Sequence, residues 1–219
     1  MNNKIVYEKK YSNGYGIRYP ESHIIRIYEH FLKEIFADGK EKKMLDFGCG
    51  NGIHSKFFEE KGFRTVGIDI SENAINVAKM TQSTNNEYIQ MDLIKEDSQL
   101  IKGYDLILAN QSLYYLSIND IKTLMGKFNH LLTEDGLVVF TMMSKNNYYF
   151  RHAIPIGNGQ YKVSLNGRLN EETVISFIED EKHLVQVMDE FVPLHTGKYD
   201  FTMKEGSSEH FYFIGKKAK

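Results

Sequence analysis

The sequence has little cysteine, little net charge and no long apolar run. The single cysteine, Cys49, has no partner in the chain, so a disulfide framework is excluded and a reducing compartment is expected. Residues 1–14 lack the apolar stretch of a signal peptide, and runs such as Leu137–Phe140 are too short to cross a bilayer. We therefore expect a cytoplasmic protein with no membrane partner.

The charge balance argues against a nucleic-acid partner. The chain has 27 basic and 29 acidic residues, a net charge of -2, whereas a phosphate-binding surface usually needs clustered excess Lys and Arg. Hydrophobic residues make up 42% and charged residues 26%, which is typical of a soluble globular protein. A chain of 219 residues fits one α/β domain, residues 1–219, with a modest elaboration.

Strand-like and helical patterns alternate along most of the chain, which predicts a parallel sheet covered by helices on both faces. The predicted strands are Met44–Phe47, Thr65–Ile70, Tyr88–Met91, Tyr104–Ala109, Leu137–Met142, Leu184–Glu190 and His210–Gly215. The predicted helices cover residues 24–36, 53–60, 72–80, Asp120–Leu132 and Glu171–Lys182. Residues 144–170 break the rhythm with Asn, Gly and aromatic residues, and a hairpin is expected around Gly157–Gly167.

Three glycines, Gly48, Gly50 and Gly52, follow the first strand and open a helix. Missing side chains there let the backbone turn sharply and approach a ligand, and helix-start amides can face a carboxylate. A dinucleotide fingerprint needs G-x-G-x-x-G, but Ile53 stands where its last glycine would fall. The spacing therefore disfavours a nicotinamide cofactor.

Aspartates stand beside the ends of the first three strands. Asp46 precedes the first glycine by two residues, Asp69 ends the second strand, and Asp92 follows the third. Loops at the carboxyl edge of a parallel sheet meet at one pocket, where such carboxylates can bind a ribose diol or an adenine amino group. Together they indicate a nucleoside pocket.

These residues make the chain resemble the class I S-adenosylmethionine-dependent methyltransferases. The likeness covers roughly residues 40 to 145 and rests on Met44–Gly52, Val66–Asp69, Gln90–Leu93 and Tyr104–Leu116. It implies a Rossmann-like, seven-stranded, mostly parallel sheet with an antiparallel last strand. It also implies an S-adenosylmethionine cofactor, with residues 40–143 as the cofactor-binding core between an N-terminal arm and helix (1–39), a substrate-side insertion (144–170) and a C-terminal helix and strands (171–219).

The same resemblance implies roles for individual residues. Asp46, Gly48, Gly50 and Gly52 would hold the methionine part, Asp69 the ribose, Met91, Asp92 and Leu93 the adenine, and Asn110 would lie under the sulfonium; Cys49, Ile70 and Tyr15 complete the predicted cofactor contacts.

The fourth-strand loop narrows the methyltransferase class. Asn110-Gln111-Ser112-Leu113 differs from the Asn-Pro-Pro-aromatic motif of enzymes that methylate DNA bases or glutamine, and neither a catechol-type metal pair nor a glutamate pair is found. A metal is therefore not predicted, and the small-molecule branch remains. The acceptor pocket is expected from the arm Tyr11–Arg26 and the loop Asn146–His152, because binding residues on α/β folds collect in such loops.

In its N-terminal arm and its short length, the chain resembles bacterial methyltransferases encoded with surface-carbohydrate genes. This resemblance implies a hydroxyl-rich acceptor, such as a sugar or nucleotide-linked sugar of capsule biosynthesis. A hydroxyl benefits from a general base, for which His152, then His195, then His23 are the candidates, while His210 is assigned to packing. An N-methyltransferase of a small amine or amide, a non-catalytic cofactor-binding module and, as the weakest alternative, a nicotinamide oxidoreductase stay open, as does a homodimer.

Overall fold

The computed structural model describes residues 3–80, 85–96, 100–166 and 171–218. Its strands are β1 (Lys42–Phe47), β2 (Phe63–Asp69), β3 (Asn86–Gln90), β4 (Tyr104–Ala109), β5 (Leu132–Met143), β6 (Ala153–Gly157), β7 (Gln160–Leu165), β8 (Glu171–Ser176), β9 (Phe191–Tyr199) and β10 (His210–Lys217). Its helices are α1 (Asn3–Ser12), α2 (Ser22–Ile27), α3 (Ile53–Glu59), α4 (Glu72–Met80), α5 (Ile118–Leu131) and α6 (Glu181–Val187).

The main sheet has seven strands in the order β3-β2-β1-β4-β5-β10-β9. Strands β1 to β5 are parallel, and β10 runs antiparallel between β5 and β9. The predicted fold class is therefore confirmed. The carboxyl ends of β1 to β5 meet at one edge, and this edge carries the candidate site.

Two apolar cores cover the two faces of the sheet, because successive strand side chains point to opposite sides. Along β1, Leu45 packs in the core that contains α5, whereas its neighbour Met44 packs in the core that contains α2 and α3. Along β5, Val138 and Val139 divide in the same way. The sheet is thus buried on both sides, which explains the nearly continuous apolar sequence of its central strands.

The predictions for residues 171–190 are wrong. The segment predicted as helix Glu171–Lys182 begins with β8, whose Thr173, Val174 and Ile175 favour a strand and pair with β7. The segment predicted as strand Leu184–Glu190 is mostly α6. The N-cap of α6 is Asp180, whose carboxylate accepts a hydrogen bond from the backbone N of His183 at 2.8 Å. The helix therefore begins at Glu181, ten residues after the predicted start at Glu171.

The insertion forms a second, antiparallel sheet in the order β6-β7-β8. Asn158 and Gly159 turn between β6 and β7 with φ of 53° and 73°, as a tight hairpin turn with Asn-Gly requires. The expected hairpin is confirmed there, while Gly167 lies outside the described residues. Because β8 completes this sheet, the elaboration continues past residue 170 to Ser176.

Helix α1 packs against α4 and β8 at the carboxyl edge of the main sheet. Two short 3₁₀ turns, Leu113–Tyr115 and Tyr148–His152, and a π-helical turn, Tyr28–Leu32, complete the regular elements. Within the ranges given above, no helix has both the length and the apolar character needed to cross a membrane.

Candidate functional site

The glycine loop after β1 has a backbone that only glycine adopts readily. Gly48, Gly50 and Gly52 have φ of 70°, 55° and 77°. A Cβ on Gly48 would lie 2.5 Å from the Cβ of Ser112, and one on Gly50 would lie 2.3 Å from the hydroxyl of Tyr11. The loop therefore leaves a cradle that a side chain would fill.

Asp69 connects the glycine loop to the end of β2. Its carboxylate accepts hydrogen bonds from the backbone N of Gly50 at 3.0 Å and of Ser71 at 2.8 Å. Burial raises the pKa of Asp69, and these two donors oppose that rise. Both carboxylate oxygens keep a further lone pair, so the group can also accept hydrogen bonds from a ligand.

A cavity of about 290 Å³ opens between this loop and α1. Eight of the twelve predicted cofactor residues line it: Tyr15, Gly48, Cys49, Gly50, Asp69, Ile70, Met91 and Asn110. We call this space the cofactor cavity.

The other four predicted cofactor residues, Asp46, Gly52, Asp92 and Leu93, are not among the residues that line the cavity. Asp46 is buried, accepts a hydrogen bond from the Ser55 hydroxyl at 2.7 Å, and burial raises its pKa to about 6. Gly52 caps α3, Leu93 packs in the core, and Asp92 pairs with Lys95 at 2.7 Å. In the described residues, Asp46 therefore connects β1 to α3 through its hydrogen bond with Ser55 and does not line the cavity.

A second cavity of about 510 Å³ adjoins the first. Six tyrosines line it, together with other, mostly polar residues from α1 and the turn after it, the loop after β4, the end of β5, the insertion, β8 and the start of β10: Tyr7, Tyr15, Tyr114, Tyr115, Tyr148, Tyr149, Lys10, Asn13, Gly14, Gln111, Met143, Asn147, Glu171, Ser208 and His210. Tyr7, Tyr15, Gln111, Tyr114 and Tyr115 line both cavities. We call the second space the acceptor cavity.

An ion pair crosses the acceptor cavity between α1 and β8. The ammonium of Lys10 lies 3.0 Å from the buried carboxylate of Glu171 and 4.8 Å and 5.2 Å from the ring centres of Tyr7 and Tyr15. The Tyr149 hydroxyl donates to the same carboxylate at 3.0 Å. The charge of Glu171 is therefore compensated within the cavity.

The tyrosines of the acceptor cavity remain neutral hydrogen-bonding groups. Burial raises the pKa of Tyr7, Tyr114, Tyr115 and Tyr149 above the ordinary value for tyrosine. The hydroxyls of Tyr7 and Tyr115 are also hydrogen-bonded to each other, which joins α1 to the loop after β4. These side chains can orient an acceptor, but they are poor proton acceptors at neutral pH.

The three histidines proposed as bases are not among the residues that line either cavity. His152 is exposed at the end of a 3₁₀ turn, and His195 is exposed in β9 with its ring 4.5 Å from that of Phe31. His23 is buried behind the cofactor cavity, where its Nε2 lies 2.9 Å from the Oδ1 of Asn110. Burial lowers the pKa of His23, so it is neutral at pH 7.

A polar network lies on the wall where the two cavities meet, and the sequence did not predict its hydrogen bonds. The carboxylate of Glu21 accepts hydrogen bonds from the side-chain amides of Asn110 at 2.7 Å and Gln111 at 2.9 Å. Gln111 has φ of 50°, a strained value for a non-glycine residue, and its backbone N donates to the Thr141 hydroxyl at 2.7 Å. Such strain is concentrated at binding sites, but the sequence around Gln111 gives no sign of it.

Of the loops expected to form the acceptor pocket, the arm contributes Asn13, Gly14 and Tyr15, and the loop Asn146–His152 contributes Asn147, Tyr148 and Tyr149. Tyr7 and Lys10, one turn apart on α1, were missed because α1 buries none of its residues fully and has no clear apolar face. Among the described residues, no group of three or more His, Cys, Asp or Glu side chains could hold a metal ion.

Comparison with known proteins gives one family match. A family model described as a methyltransferase domain matches residues 21–191. The ubiquinone biosynthesis O-methyltransferase of Nitrosomonas europaea is 27% identical over 128 residues, 57% of this chain and 54% of that protein. The malonyl-[acyl-carrier protein] O-methyltransferase of Hamiltonella defensa is 27% identical over 113 residues, 52% of this chain and 42% of that protein. The chain thus spans about half the length of these curated relatives.

Solved structures agree on the fold. The N-methyltransferase NodS from Bradyrhizobium japonicum, in complex with S-adenosyl-L-homocysteine, superposes over all of both chains with a TM-score of 0.69 and 15% identity.

Proposed function

The chain belongs to the methyltransferase-domain family, and from this premise we propose that it transfers the methyl group of S-adenosylmethionine to a hydroxyl of a small, uncharged acceptor. The observation that carries the proposal is the acceptor cavity, which adjoins the cofactor cavity and is lined by six neutral tyrosines and a compensated ion pair. The named relatives that methylate oxygen agree with this chemistry.

The residues of the cofactor cavity fit S-adenosylmethionine. The glycine cradle at Gly48 and Gly50 leaves room that any side chain would fill, and Asp69 offers lone pairs for a ribose diol at the end of β2. When bound, this cofactor supplies an electrophilic methyl group on a sulfonium. Asn110 and Glu21, on the wall of the same cavity, provide an amide and a carboxylate that suit a positively charged ligand.

Positioning is the main contribution of the acceptor cavity, because methyl transfer requires the nucleophile to lie in line with the bond that breaks. Tyrosine rings can stack on the flat faces of sugars and phenols, and their hydroxyls and the side chain of Gln111 can form hydrogen bonds with the hydroxyl groups of an acceptor. A sugar, the acceptor implied by the sequence resemblance, and a phenol both fit this set. A nucleotide-linked sugar fits only if its phosphates lie outside, because Lys10 is already paired with Glu171.

A small amine is a second candidate acceptor. The Lys10 ammonium already lies between two tyrosine rings and a buried carboxylate, which is the environment that recognises an organic cation. An amine that replaced Lys10 there would lie in the same cavity, so this observation favours N-methylation as the alternative.

Two experiments test the proposal. Calorimetry with S-adenosylmethionine and S-adenosylhomocysteine should show binding, and failure of both at millimolar concentration would refute it. The protein is then incubated with S-adenosylmethionine and phenol, catechol, methyl glucoside, ethanolamine or benzylamine, with mass spectrometry of the products. Methyl on oxygen supports the proposal, methyl on nitrogen supports the amine alternative, and binding without turnover on any acceptor supports a non-catalytic module.

The cytoplasmic location and the homodimer also remain proposals. Light scattering of the purified chain tests the second, with the mass of a single chain as the contradicting result.

A further inference from the structure

His210 begins β10 at the carboxyl edge of the sheet, between Met143 of β5 and Tyr199 of β9. Its side chain is buried and lines the acceptor cavity. The imidazole stacks on the ring of Tyr199, with ring centroids 5.3 Å apart and planes 8° apart. It also contacts the ring of Tyr114 in a tilted arrangement, with centroids 5.8 Å apart. These contacts hold the ring in one orientation.

The hydrogen bonds of His210 identify its tautomer. Nδ1 lies 2.9 Å from the carbonyl oxygen of Ser208, and a carbonyl only accepts, so Nδ1 carries the hydrogen. Nε2 therefore bears the lone pair, and it is buried with no hydrogen-bond partner in the described part of the chain. Burial lowers the pKa of His210 to about 4, so the ring is neutral near pH 7.

The other polar groups of the acceptor cavity are poorly suited to remove a proton. The tyrosines are neutral because burial raises their pKa, as for Tyr114 and Tyr149. The carboxylate of Glu171 is engaged by the Lys10 ammonium and the Tyr149 hydroxyl. A buried nitrogen with an unused lone pair has a desolvation cost that a hydroxyl ligand would relieve. His210 is the lining residue that offers such an atom.

We propose that Nε2 of His210 is the general base of the acceptor cavity, taking the proton of the acceptor hydroxyl during methyl transfer. This inference rests on the proposed function. The acceptor oxygen forms its bond to the methyl carbon as the carbon–sulfur bond breaks and that electron pair returns to sulfur. The hydroxyl proton passes to Nε2, and the imidazolium then releases it to water. The Ser208 carbonyl stabilises the charged ring through Nδ1.

Kinetics of two variants test the role of the ring. His210→Gln preserves a polar side chain of similar length but removes the basic nitrogen, and His210→Ala leaves a space that added imidazole can enter. With phenol, catechol or methyl glucoside, whichever the wild-type protein methylates, both should lose roughly 10²- to 10⁴-fold in kcat, with S-adenosylhomocysteine affinity unchanged. Imidazole should restore part of the loss in His210→Ala alone. His130→Ala, an exposed histidine in the last turn of α5, is the matched control and should match wild type. Unchanged kcat in both His210 variants would overturn the proposal.

A second measurement needs neither a variant nor a known acceptor. Long-range proton–nitrogen NMR of the histidine rings should show His210 neutral at pH 7, with hydrogen on Nδ1 and none on Nε2. A hydrogen on Nε2, or a charged ring, would overturn the base even if S-adenosylhomocysteine binds. Failure of S-adenosylhomocysteine to bind would instead refute the proposed function, so the two failures can be distinguished.

Discussion

Asn3 joins α1 to the rest of the molecule. Its amide nitrogen donates to the carbonyl oxygens of Tyr115 at 2.9 Å and Val174 at 3.1 Å, and its Oδ1 accepts from the Thr173 hydroxyl at 3.1 Å and from the backbone N of Val174 at 3.2 Å. One side chain thus connects α1 to β8 and to the loop after β4. Since α1 has no fully buried residue, polar contacts such as these contribute to its docking.

Asn3→Ala removes all four hydrogen bonds. At a net contribution of about 1 kcal/mol each, less where water replaces them, the substitution should cost about 2 to 4 kcal/mol of docking free energy. Because 1.4 kcal/mol corresponds to a tenfold change, the equilibrium constant for opening of α1 should rise roughly 30- to 700-fold. The change is local: the free energy of global unfolding should fall by less, since α1 can detach while both cores remain packed.

Hydrogen exchange measures this opening directly. Amides of α1 should exchange faster in Asn3→Ala by about the factor given above, while those of β4 and β5 should be unchanged. Ser12→Ala is the matched control, because in the described part of the chain the Ser12 hydroxyl donates to the carbonyl of Lys9 within the helix and to no other element. S-adenosylhomocysteine should also dissociate faster, because Asn3 and Tyr7 line the cofactor cavity. Equal α1 exchange in Asn3→Ala and wild type would refute this account of docking.

Further predictions concern the cavities. Gly50→Ala should weaken S-adenosylhomocysteine binding about tenfold or more, because its φ of 55° and a Cβ 2.3 Å from the Tyr11 hydroxyl disfavour alanine; equal calorimetric affinity would contradict this. Asp69→Ala should weaken it roughly 10- to 100-fold through lost ribose hydrogen bonds, and an unchanged dissociation constant would reject that role. Burial lowers the pKa of His210 from 6.5 to about 4. Between these pH values, position 210 binds the proton in the unfolded chain but not in the folded one. As the pH falls from 6.5 to 4, the unfolding free energy of wild type should therefore decrease by up to about 3 kcal/mol more than that of His210→Gln. Urea denaturation at several pH values measures both free energies, and the same pH dependence in the two proteins would disprove the prediction.

The parts of the fold that sequence predicts well are those where local pattern and tertiary structure agree. The apolar run Tyr104–Ala109 is a strand with the predicted bounds, and the glycines after β1 adopt the left-handed conformations that their position suggests. The prediction for residues 171–190 failed because the apolar residues of Glu171–Ser176 suit either a helix or a strand. The segment is a strand because it pairs with β7. Local sequence does not contain that pairing.

The acceptor cavity could be predicted only in part for the same reason. Lys10 and Glu171 are 161 positions apart, and their contact depends on α1 folding back over β8. The sequence indicates only that His210 belongs to a buried strand. Its position on the acceptor cavity and its unpartnered Nε2 become evident only in the structure. The family match from residue 21 to 191 includes neither α1 nor His210, so the family specifies the cofactor more closely than the acceptor.

Because the two cavities share residues, the docking of α1 affects both of them. Tyr7 and Tyr15 line both the cofactor cavity and the acceptor cavity. Tyr7 belongs to α1, which Asn3 docks, and Tyr15 follows α1 and is attached to it by a hydrogen bond from its backbone N to the carbonyl oxygen of Lys10 at 3.1 Å. Undocking of α1 therefore opens the two cavities at the same time. Asn3→Ala should weaken the acceptor as well as the cofactor, seen as a higher KM for the methylated substrate with little change in kcat, because the groups around His210 on β10 stay in place. A lower kcat with unchanged KM would mean that α1 acts on the chemical step itself.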